Sequence, residues 1–301
     1  MKIIYGISKI KRMRKPVVAL GVFDGVHRAH IRILKYAAAA ARRRGGKSVA
    51  LTFWPHPRKV KSLYSLEHRL RLIEALGIDI CVVIRFDRSF SKITADDFVR
   101  RILSGKLGAE LVCVGRNFRF GHGACGDVNS LNRLSRLYGF KLKIFEVIRA
   151  DSRPVSSTSI RRLIESGKLR QAESLLRRPV AVLGTVIRGQ ALGRRLGFPT
   201  ANINPHHEVL PPSGVYAVRI IYNNRRLKGV CNIGRKPTLG NSDQKHIEVY
   251  IFNFLGNIYG KYLEIQFIEG LRSERKFADL DSLAGQLKKD VRRARECFTR
   301  H

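Results

Sequence analysis

Long apolar runs are absent from this chain of 301 residues. No run approaches the roughly 18 residues that a membrane helix needs, and the basic N-terminus up to Lys15 leads into a short strand-like run rather than a secretory signal. Cysteine is also scarce: the five cysteines show no CxxC spacing of the kind found in zinc sites. We therefore expect free thiols, no membrane association and a cytoplasmic location.

Acidic residues are few, with 23 Asp and Glu against 58 Lys and Arg, which gives a formal net charge of +35. Such a charge attracts polyanions and phosphate-bearing small molecules. The basic residues are spread over the whole length in short groups such as Arg42 to Arg44, and no long basic tail is present. This distribution favours a general surface bias over nucleic-acid binding as the main function. The sequence indicates no oligomeric state.

The first half of the chain alternates short β-branched runs with amphipathic segments, which predicts a parallel sheet with crossover helices. A first strand at Val17 to Leu20 enters the glycine-flanked turn Gly21 to Gly25, and a helix follows from about His30. Further strands are predicted at the positions 48–53, 80–84, 111–114 and 142–147. A helix beginning after Thr94 is predicted from the spacing of Thr94 and Asp97.

The pattern changes after Arg177-Arg178-Pro179 to strands with hairpin signals, such as Asn223-Asn224 between two strand-like runs. A small antiparallel β-barrel is predicted here, followed by a helix over Asp279 to Cys297 with Asp281 as its N-cap. The expected domains are therefore residues 1–178 and 179–301.

Two histidines, His27 and His30, lie three residues apart where the first helix begins. Backbone N–H groups at a helix N-terminus favour anions, and two imidazoles beside them can neutralise charge on a phosphate. An HxxH pair alone is weak evidence, because such histidines are often solvated or act as metal ligands. The flanking glycines and the strand-turn-helix context favour phosphate chemistry.

Two other segments of the first half support this interpretation. The run Val155 to Arg161 places hydroxyl groups at a helix start with a guanidinium behind them, which suits phosphate binding, although Ser157 or Thr158 could simply cap a helix. The run Thr52 to Pro57 ends a strand with aromatic and proline side chains, on which a flat ring could lie. An ordinary loop with one buried tryptophan is the alternative for this segment.

The barrel begins with a glycine-rich segment that contains Gly189 and Gly193 and ends at Thr200 and Asn202. The glycines allow a loop to close over phosphates, and Thr200 and Asn202 offer the oxygen ligands that Mg²⁺ accepts. Glu248 lies on an alternating strand and should share a face with Tyr250. A carboxylate in that position is a candidate general base for a hydroxyl that attacks the γ-phosphate, whereas a solvated strand glutamate is the more common case.

These motifs, in order and spacing, resemble the bifunctional riboflavin kinase/FAD synthetases of bacteria. The FAD synthetase module is resembled by residues 21–30, 52–57, 114–121 and 156–161, and the riboflavin kinase module by residues 184–202, 211–216, 232–238, 248–254, 259–261 and 271–277. The resemblance implies a Rossmann-like nucleotidyltransferase domain followed by a β-barrel domain. It implies that ATP and Mg²⁺ are used to convert riboflavin to FMN and then FMN to FAD.

The resemblance also implies roles for individual residues. His27 and His30 would be catalytic in adenylyl transfer and Glu248 in phosphorylation, and Thr200 and Asn202 would bind Mg²⁺. ATP would be bound by Gly21, Phe23, Asp24, Ser156, Ser157, Thr158, Arg161, Gly189, Gly193, Thr200 and Asn202. The flavin would be bound by Phe53, Pro55, His56, Asn117 and Arg272.

Three positions depart from the family pattern, and one of them matters for the function. Ser159, where arginine is common, and Tyr250, where histidine is frequent, are the smaller departures. Ala29 stands between the two histidines, where glycine is usual. If the backbone there needs a positive φ, alanine costs on the order of 1 kcal/mol, whereas in a regular helical turn it costs nothing. A riboflavin kinase with a degenerate N-terminal domain is therefore the alternative function.

Overall fold

A computed structural model describes residues 1–58, 60–150, 153–189, 193, 196–206, 208–235 and 245–299. Parts of two predicted motifs lie outside the described residues: residues 190–192 and Arg194-Arg195 of the motif 184–202, and residues 236–238 of the motif 232–238. The chain forms two compact units, Met1–Ser159 and Ile160–His301. The predicted domain boundary at 178/179 lies within the second unit and stays a prediction.

The first unit is built on a parallel sheet of six strands. Its strands are β1 (Lys2–Tyr5), β2 (Val17–Leu20), β3 (Ser48–Trp54), β4 (Ile80–Arg85), β5 (Leu111–Gly115) and β6 (Lys141–Phe145). Their order is β1-β4-β3-β2-β5-β6. All four residues of β2 are buried, because apolar layers cover both faces: Val18 and Leu20 belong to one core cluster and Val17 and Ala19 to the other. Burial on both faces explains why the strands read as continuous apolar runs.

Helices connect the strands from β2 to β6, and one more helix follows later in the chain. They are α1 (Arg28–Arg43), α2 (Leu66–Glu74), α3 (Ala95–Asp97, continued as a π-helix over Phe98–Lys106), α4 (Val128–Leu137) and α5 (Ser157–Glu165). The Thr94 hydroxyl accepts a hydrogen bond from the Asp97 N–H, as the sequence predicted. Two short antiparallel strands, β7 (Arg149–Ala150) and β8 (Arg153–Pro154), precede α5.

The second unit contains α6 (Leu169–Leu176) and a closed antiparallel barrel. The barrel strands are β9 (Ala181–Ile187), β10 (Thr200–Asn204), β11 (Gly214–Tyr222), β12 (Arg225–Arg235), β13 (Lys245–Ile251) and β14 (Tyr262–Ser273). Their order is β10-β13-β12-β11-β14-β9, with β9 paired to β10. Asn223 and Asn224 form the β11–β12 turn with φ of 47° and 61°, the left-handed conformation that a two-residue hairpin turn requires.

The C-terminal helix α7 (Leu280–Thr299) packs on the outside of the barrel. Its Ala294 and Cys297 form a buried cluster with Val215, Ala217 and Leu271, among others. The predicted N-cap Asp281 is wrong: Asp281 lies inside the helix, and Asp279 accepts the Ser282 N–H at 2.7 Å. The predicted fold class, an α/β Rossmann-like domain followed by a β-barrel with a C-terminal helix, is confirmed.

Candidate active sites

The predicted site residues of the first unit lie where the central strands end. Within the sheet, β3 and β4 lie on one side of β2, whereas β5 and β6 lie on its other side. The carboxyl ends of β2 and β5 therefore form a topological switch point, where parallel α/β sheets bind ligands. The Gly21–His30 turn follows β2, and Asn117 follows β5.

The turn after β2 has an unusual backbone. Phe23, Gly25 and Val26 have φ of 53°, 79° and 37°, and left-handed values are unfavourable for the two residues with side chains. A Cβ atom on Gly21 would lie 3.1 Å from the Phe23 ring, and one on Gly25 would lie 2.5 Å from the Leu63 side chain. A side chain at position 25 would therefore require a left-handed backbone and a shift of Leu63, and one at position 21 would require a small shift of the Phe23 ring.

Hydrogen bonds from other segments hold this backbone in place. The Thr52 hydroxyl donates to the Val22 carbonyl at 2.8 Å, and the Ser157 hydroxyl donates to the Asp24 carbonyl at 2.8 Å. The buried Asp24 carboxylate accepts the Leu63 N–H at 2.8 Å. Asp24 and Ser157 thus shape the turn itself, in addition to the ATP contacts predicted for them.

Arg69 of α2 lies beneath the turn and is only 1% exposed. Its Nη1 donates to the Val22 carbonyl, and its guanidinium lies 5.4 Å from the centre of the Trp54 ring. Burial lowers the pKa of Arg69, and the Asp24 carboxylate counteracts that effect. Arg69 was given no role from the sequence, because an arginine on an amphipathic helix is usually solvated.

His27 and His30 lie against each other at the start of α1. Their rings are stacked with centroids 3.6 Å apart, and the Phe23 ring meets His30 edge-on at 5.4 Å. His27 is the N-cap residue and is buried. Two imidazolium charges at this distance would repel each other unless an anion lay beside them. Ala29 lies within α1 and is not among the residues with positive φ, so alanine carries no backbone penalty there.

Ser156 and Ser159 form a reciprocal cap at the start of α5. The Ser159 N–H donates to the Ser156 hydroxyl oxygen, and the Ser156 N–H donates to the Ser159 hydroxyl oxygen, each at 3.1 Å. The residue that caps this helix is therefore Ser156. The sequence had offered Ser157 or Thr158 as the cap. Thr158 is exposed, and Arg161 lies one turn further along α5.

The predicted flavin contacts of this unit lie in different surroundings. Phe53 is buried against the Phe86 and Phe90 rings, so packing in the core already explains its position. Pro55 and Asn117 are exposed. The half-buried His56 accepts the Arg58 N–H through its Nδ1. The sheet therefore leaves these three residues accessible just after the carboxyl ends of β3 and β5.

The site of the second unit is set by strand register. Glu248 of β13 lies opposite Asn202 of β10 on one side and Asn232 of β12 on the other, and Thr200 lies opposite Tyr250. Residues directly opposite in antiparallel strands point to the same face and lie about 4.5 to 5.5 Å apart. Asn202, Glu248 and Asn232 therefore form a polar row across three strands. Asn232 was given no role from the sequence, although it belongs to a predicted motif.

The two predicted glycines lie close to Asn202 and Thr200. A Cβ on Gly189 would lie 2.0 Å from the Asn202 amide nitrogen, and one on Gly193 would lie 3.1 Å from the Thr200 hydroxyl oxygen. Glycine is therefore required at position 189 for the approach to Asn202, and at position 193 because a Cβ there would lie 2.4 Å from the Phe198 carbonyl oxygen, next to Thr200. No group of three or more His, Cys, Asp or Glu able to hold a metal occurs among the described residues. Oxygen donors from threonine and asparagine fit a hard cation that keeps other ligands, such as phosphate oxygens.

Arg272 lies at the end of β14, opposite Val215. Its Nε and Nη2 bind the carboxylate of Asp290 at 2.8 to 3.1 Å, and its Nη1 donates to the Ser273 carbonyl at 3.0 Å. The partner Asp290 on α7 was not expected from the sequence, because no local pattern connects residues 18 positions apart.

Comparison with known protein families gives two matches along the chain. A family model described as FAD synthetase matches residues 9–159, and one described as riboflavin kinase matches residues 176–298. The first match contains the predicted site residues of the first unit except Arg161, and the second contains those of the barrel, in the order that the sequence resemblance implied.

Individual proteins match over nearly the full length. The bifunctional riboflavin kinase/FMN adenylyltransferase of Escherichia coli K12 is 34% identical, with 99% of this chain and 98% of that protein covered. The protein of the same description from Listeria monocytogenes is 37% identical over 94% of this chain and 93% of that protein. A crystal structure described as a macrolide-efflux protein from Streptococcus pneumoniae superposes with a TM-score of 0.83 at 26% identity, covering 96% of this chain and 97% of that chain.

The efflux description applies to the Streptococcus protein. Among the described residues of the present chain, no helix has the length and apolar character needed to cross a bilayer. The family predicted from the sequence is confirmed by both family models and by the full-length relatives. The chain belongs to the family of bifunctional riboflavin kinase/FMN adenylyltransferases.

Proposed function

We propose that this chain phosphorylates riboflavin to FMN with one ATP and adenylylates FMN to FAD with a second ATP. The observation that carries the proposal is that each unit has its own group of side chains suited to phosphate chemistry: a stacked histidine pair in the first and a row with one carboxylate in the second. We assign adenylyl transfer to residues 1–178 and phosphorylation to residues 179–301.

In the kinase reaction, Glu248 accepts the proton of the ribityl 5′-hydroxyl as its oxygen attacks the γ-phosphorus of ATP, and ADP leaves. Support for this role comes from its position between Asn202 and Asn232 on one face of the barrel. Gly189 and Gly193 allow the preceding loop to approach the ATP phosphates, and Arg272 lies on the flavin side.

Mg²⁺ is the proposed cofactor, with Thr200 and Asn202 holding it together with ATP. When bound, the ion would neutralise charge on the phosphate oxygens. The contact of Gly189 and Gly193 with these two side chains supports the assignment, since larger residues would occupy the space around Asn202 and Thr200.

In adenylyl transfer, a phosphate oxygen of FMN attacks the α-phosphorus of ATP, and diphosphate leaves. His27 and His30 stabilise the negative charge that develops there, assisted by the backbone N–H groups at the start of α1. Gly21, Phe23 and Asp24 shape the turn against the nucleotide, and Ser156, Ser157, Thr158 and Arg161 bind phosphate. Asn117, Phe53, Pro55 and His56 bind on the flavin side.

We place this activity in the cytoplasm. All five cysteines are free, and four of them are buried, which suits a reducing compartment.

The test is to incubate the purified chain with ATP, Mg²⁺ and either riboflavin or FMN, and to separate the flavins by chromatography. We expect FAD from both starting flavins. FMN that accumulates without FAD would leave the kinase alone, and no product from either flavin would refute the proposal.

A further inference from the structure

The loop after β14 lies close to the polar row of the kinase site. Arg272 is opposite Val215, Val215 is opposite Asn232, and Asn232 is opposite Glu248. Directly paired residues share a face, so Arg272 projects from the same outer face of the barrel as Glu248. Val215 packs against α7 on this face. The loop therefore begins at the boundary between the polar row and the C-terminal helix.

Asp290 fixes the start of this loop. The Asp290 side chain is buried, and the Arg272 side chain is only 16% exposed. Both carboxylate oxygens of Asp290 accept from Arg272, and Oδ1 also accepts the Gln286 amide at 2.7 Å. A buried pair with this many charge-assisted hydrogen bonds has one well-defined geometry.

A second contact fixes the loop further along. Arg275 hydrogen-bonds to Gln286, and the Phe277 ring lies within 4.8 Å of the Arg275 guanidinium and 5.6 Å of that of Arg272. Gln286 and Asp290 are one turn apart on α7, so the helix holds the loop at two successive points.

Glu274, between these two contacts, reaches the polar row. A Cβ built on Gly234 would lie 2.7 Å from Glu274 Oε1 and 3.5 Å from the side-chain nitrogen of Asn232. The Glu274 carboxylate and the Asn232 amide therefore both lie over Gly234. Asn232 is the residue opposite Glu248, so the loop brings a second carboxylate next to the kinase site.

We propose that Asp290 is a positioning residue of the kinase reaction, which acts through Arg272 to place Glu274 beside Asn232 and Glu248. This inference depends on the kinase role proposed for the Glu248 row. Docking of α7 has its own support in the Ala294 and Cys297 contacts, so the Asp290 contact is not required merely to hold the helix on the barrel.

The test compares Asp290→Asn with the full-length wild-type chain. We expect kcat/KM for riboflavin to fall about tenfold to a hundredfold, because a shift of about 1 Å at a reacting group has effects of this size. FMN adenylylation in the same preparation should be unchanged. Glu296→Gln is the matched control, since Glu296 lies on the same helix in an exposed ion pair with Arg292, and it should leave both activities at the wild-type level.

Glu274→Gln distinguishes positioning from a general structural role. Glu274 is exposed, so this variant should fold normally and should reproduce the loss of kinase activity. The double variant should be no slower than the slower single variant. If Asp290→Asn does not fold, the kinetics of Glu274→Gln still decide whether the loop contributes to the kinase reaction.

Three results would overturn the inference: wild-type kinetics for Glu274→Gln, additive losses in the double variant, or an Asp290→Asn variant that only melts earlier while its riboflavin kinetics stay unchanged. Absence of kinase activity in the wild-type chain would instead refute the proposed function.

Discussion

The two sites of this protein are built in different ways. In the first unit, a turn with left-handed backbone at Phe23 and Val26 presents the histidine pair, and contacts from Thr52, Arg69 and Ser157 hold that turn. In the second unit, the polar row around Glu248 projects from regular strands, and the pairing of these strands sets the distances between the side chains of the row. The first site therefore depends on many contacts to an unfavourable backbone, and the second on strand register and on a loop fastened by α7.

This comparison predicts that the two activities can be lost separately. The largest effect is expected for Glu248→Gln, which removes the proposed base while keeping the shape of the side chain. Riboflavin phosphorylation should fall on the order of 10²- to 10⁴-fold, and FMN adenylylation should not change. Chromatographic assays that start from each flavin measure the two activities.

Glu264→Gln is the matched control for that variant, because Glu264 lies on β14 away from the row and accepts a hydrogen bond from Gln266. A Glu248→Gln variant with full kinase activity would exclude the residue as the base.

The reciprocal variant is His27→Asn. Adenylyl transfer should fall about 10²- to 10³-fold, since one group that stabilises charge in the transition state is removed, and kinase activity should be retained. His122→Asn, an exposed histidine of the same unit, serves as the control. A parallel loss of both activities would mean that the sites are not separable.

Arg69→Met tests how strongly the first unit depends on the contacts that hold its turn, measured as the free energy of unfolding. The variant removes the charged donor to the Val22 carbonyl and a positive charge near Asp24, so the free energy of unfolding should fall by about 1.5 to 3 kcal/mol. Trp54 is the only tryptophan of the chain and lies against Arg69. Its fluorescence during urea unfolding therefore reports on this unit.

The control is Arg71→Met on the same helix, where an exposed pair with Glu67 is lost. Exposed pairs contribute about 0 to 1 kcal/mol. Equal losses in the two variants would contradict the importance assigned to burial of Arg69.

The smallest effect is expected for Ala29→Gly. Because Ala29 is helical, glycine should destabilise α1 by about 0.5 to 1 kcal/mol and should not increase adenylyl transfer. Steady-state rates of FMN adenylylation for the variant and the wild-type chain measure whether glycine increases this activity. A clear increase in rate would show that Ala29 limits this half of the enzyme, as the kinase-only alternative supposed.

Local sequence patterns were sufficient for much of this structure. Apolar runs of β-branched residues located the strands, Thr94 located a helix start, and Asn223-Asn224 located a hairpin turn, because each depends on neighbouring residues and on backbone conformation. The order and spacing of the motifs were sufficient to identify the family. The choice of Asp281 as the cap of α7 failed because Asp279 and Asp281 are equivalent as local signals, and only the position where the helix begins decides between them.

The sequence by itself determined the fold class, the family and the residue types available for phosphate chemistry, since composition, periodicity and motif spacing are local properties. Only the tertiary structure decided that Arg69 is buried beneath the turn, that Asn232 stands opposite Glu248, and that Arg272 binds Asp290. These contacts join residues that are distant along the chain, and the physical reason is that strand pairing and helix docking select partners through the packing of the whole unit. No periodicity of a single segment carries that information.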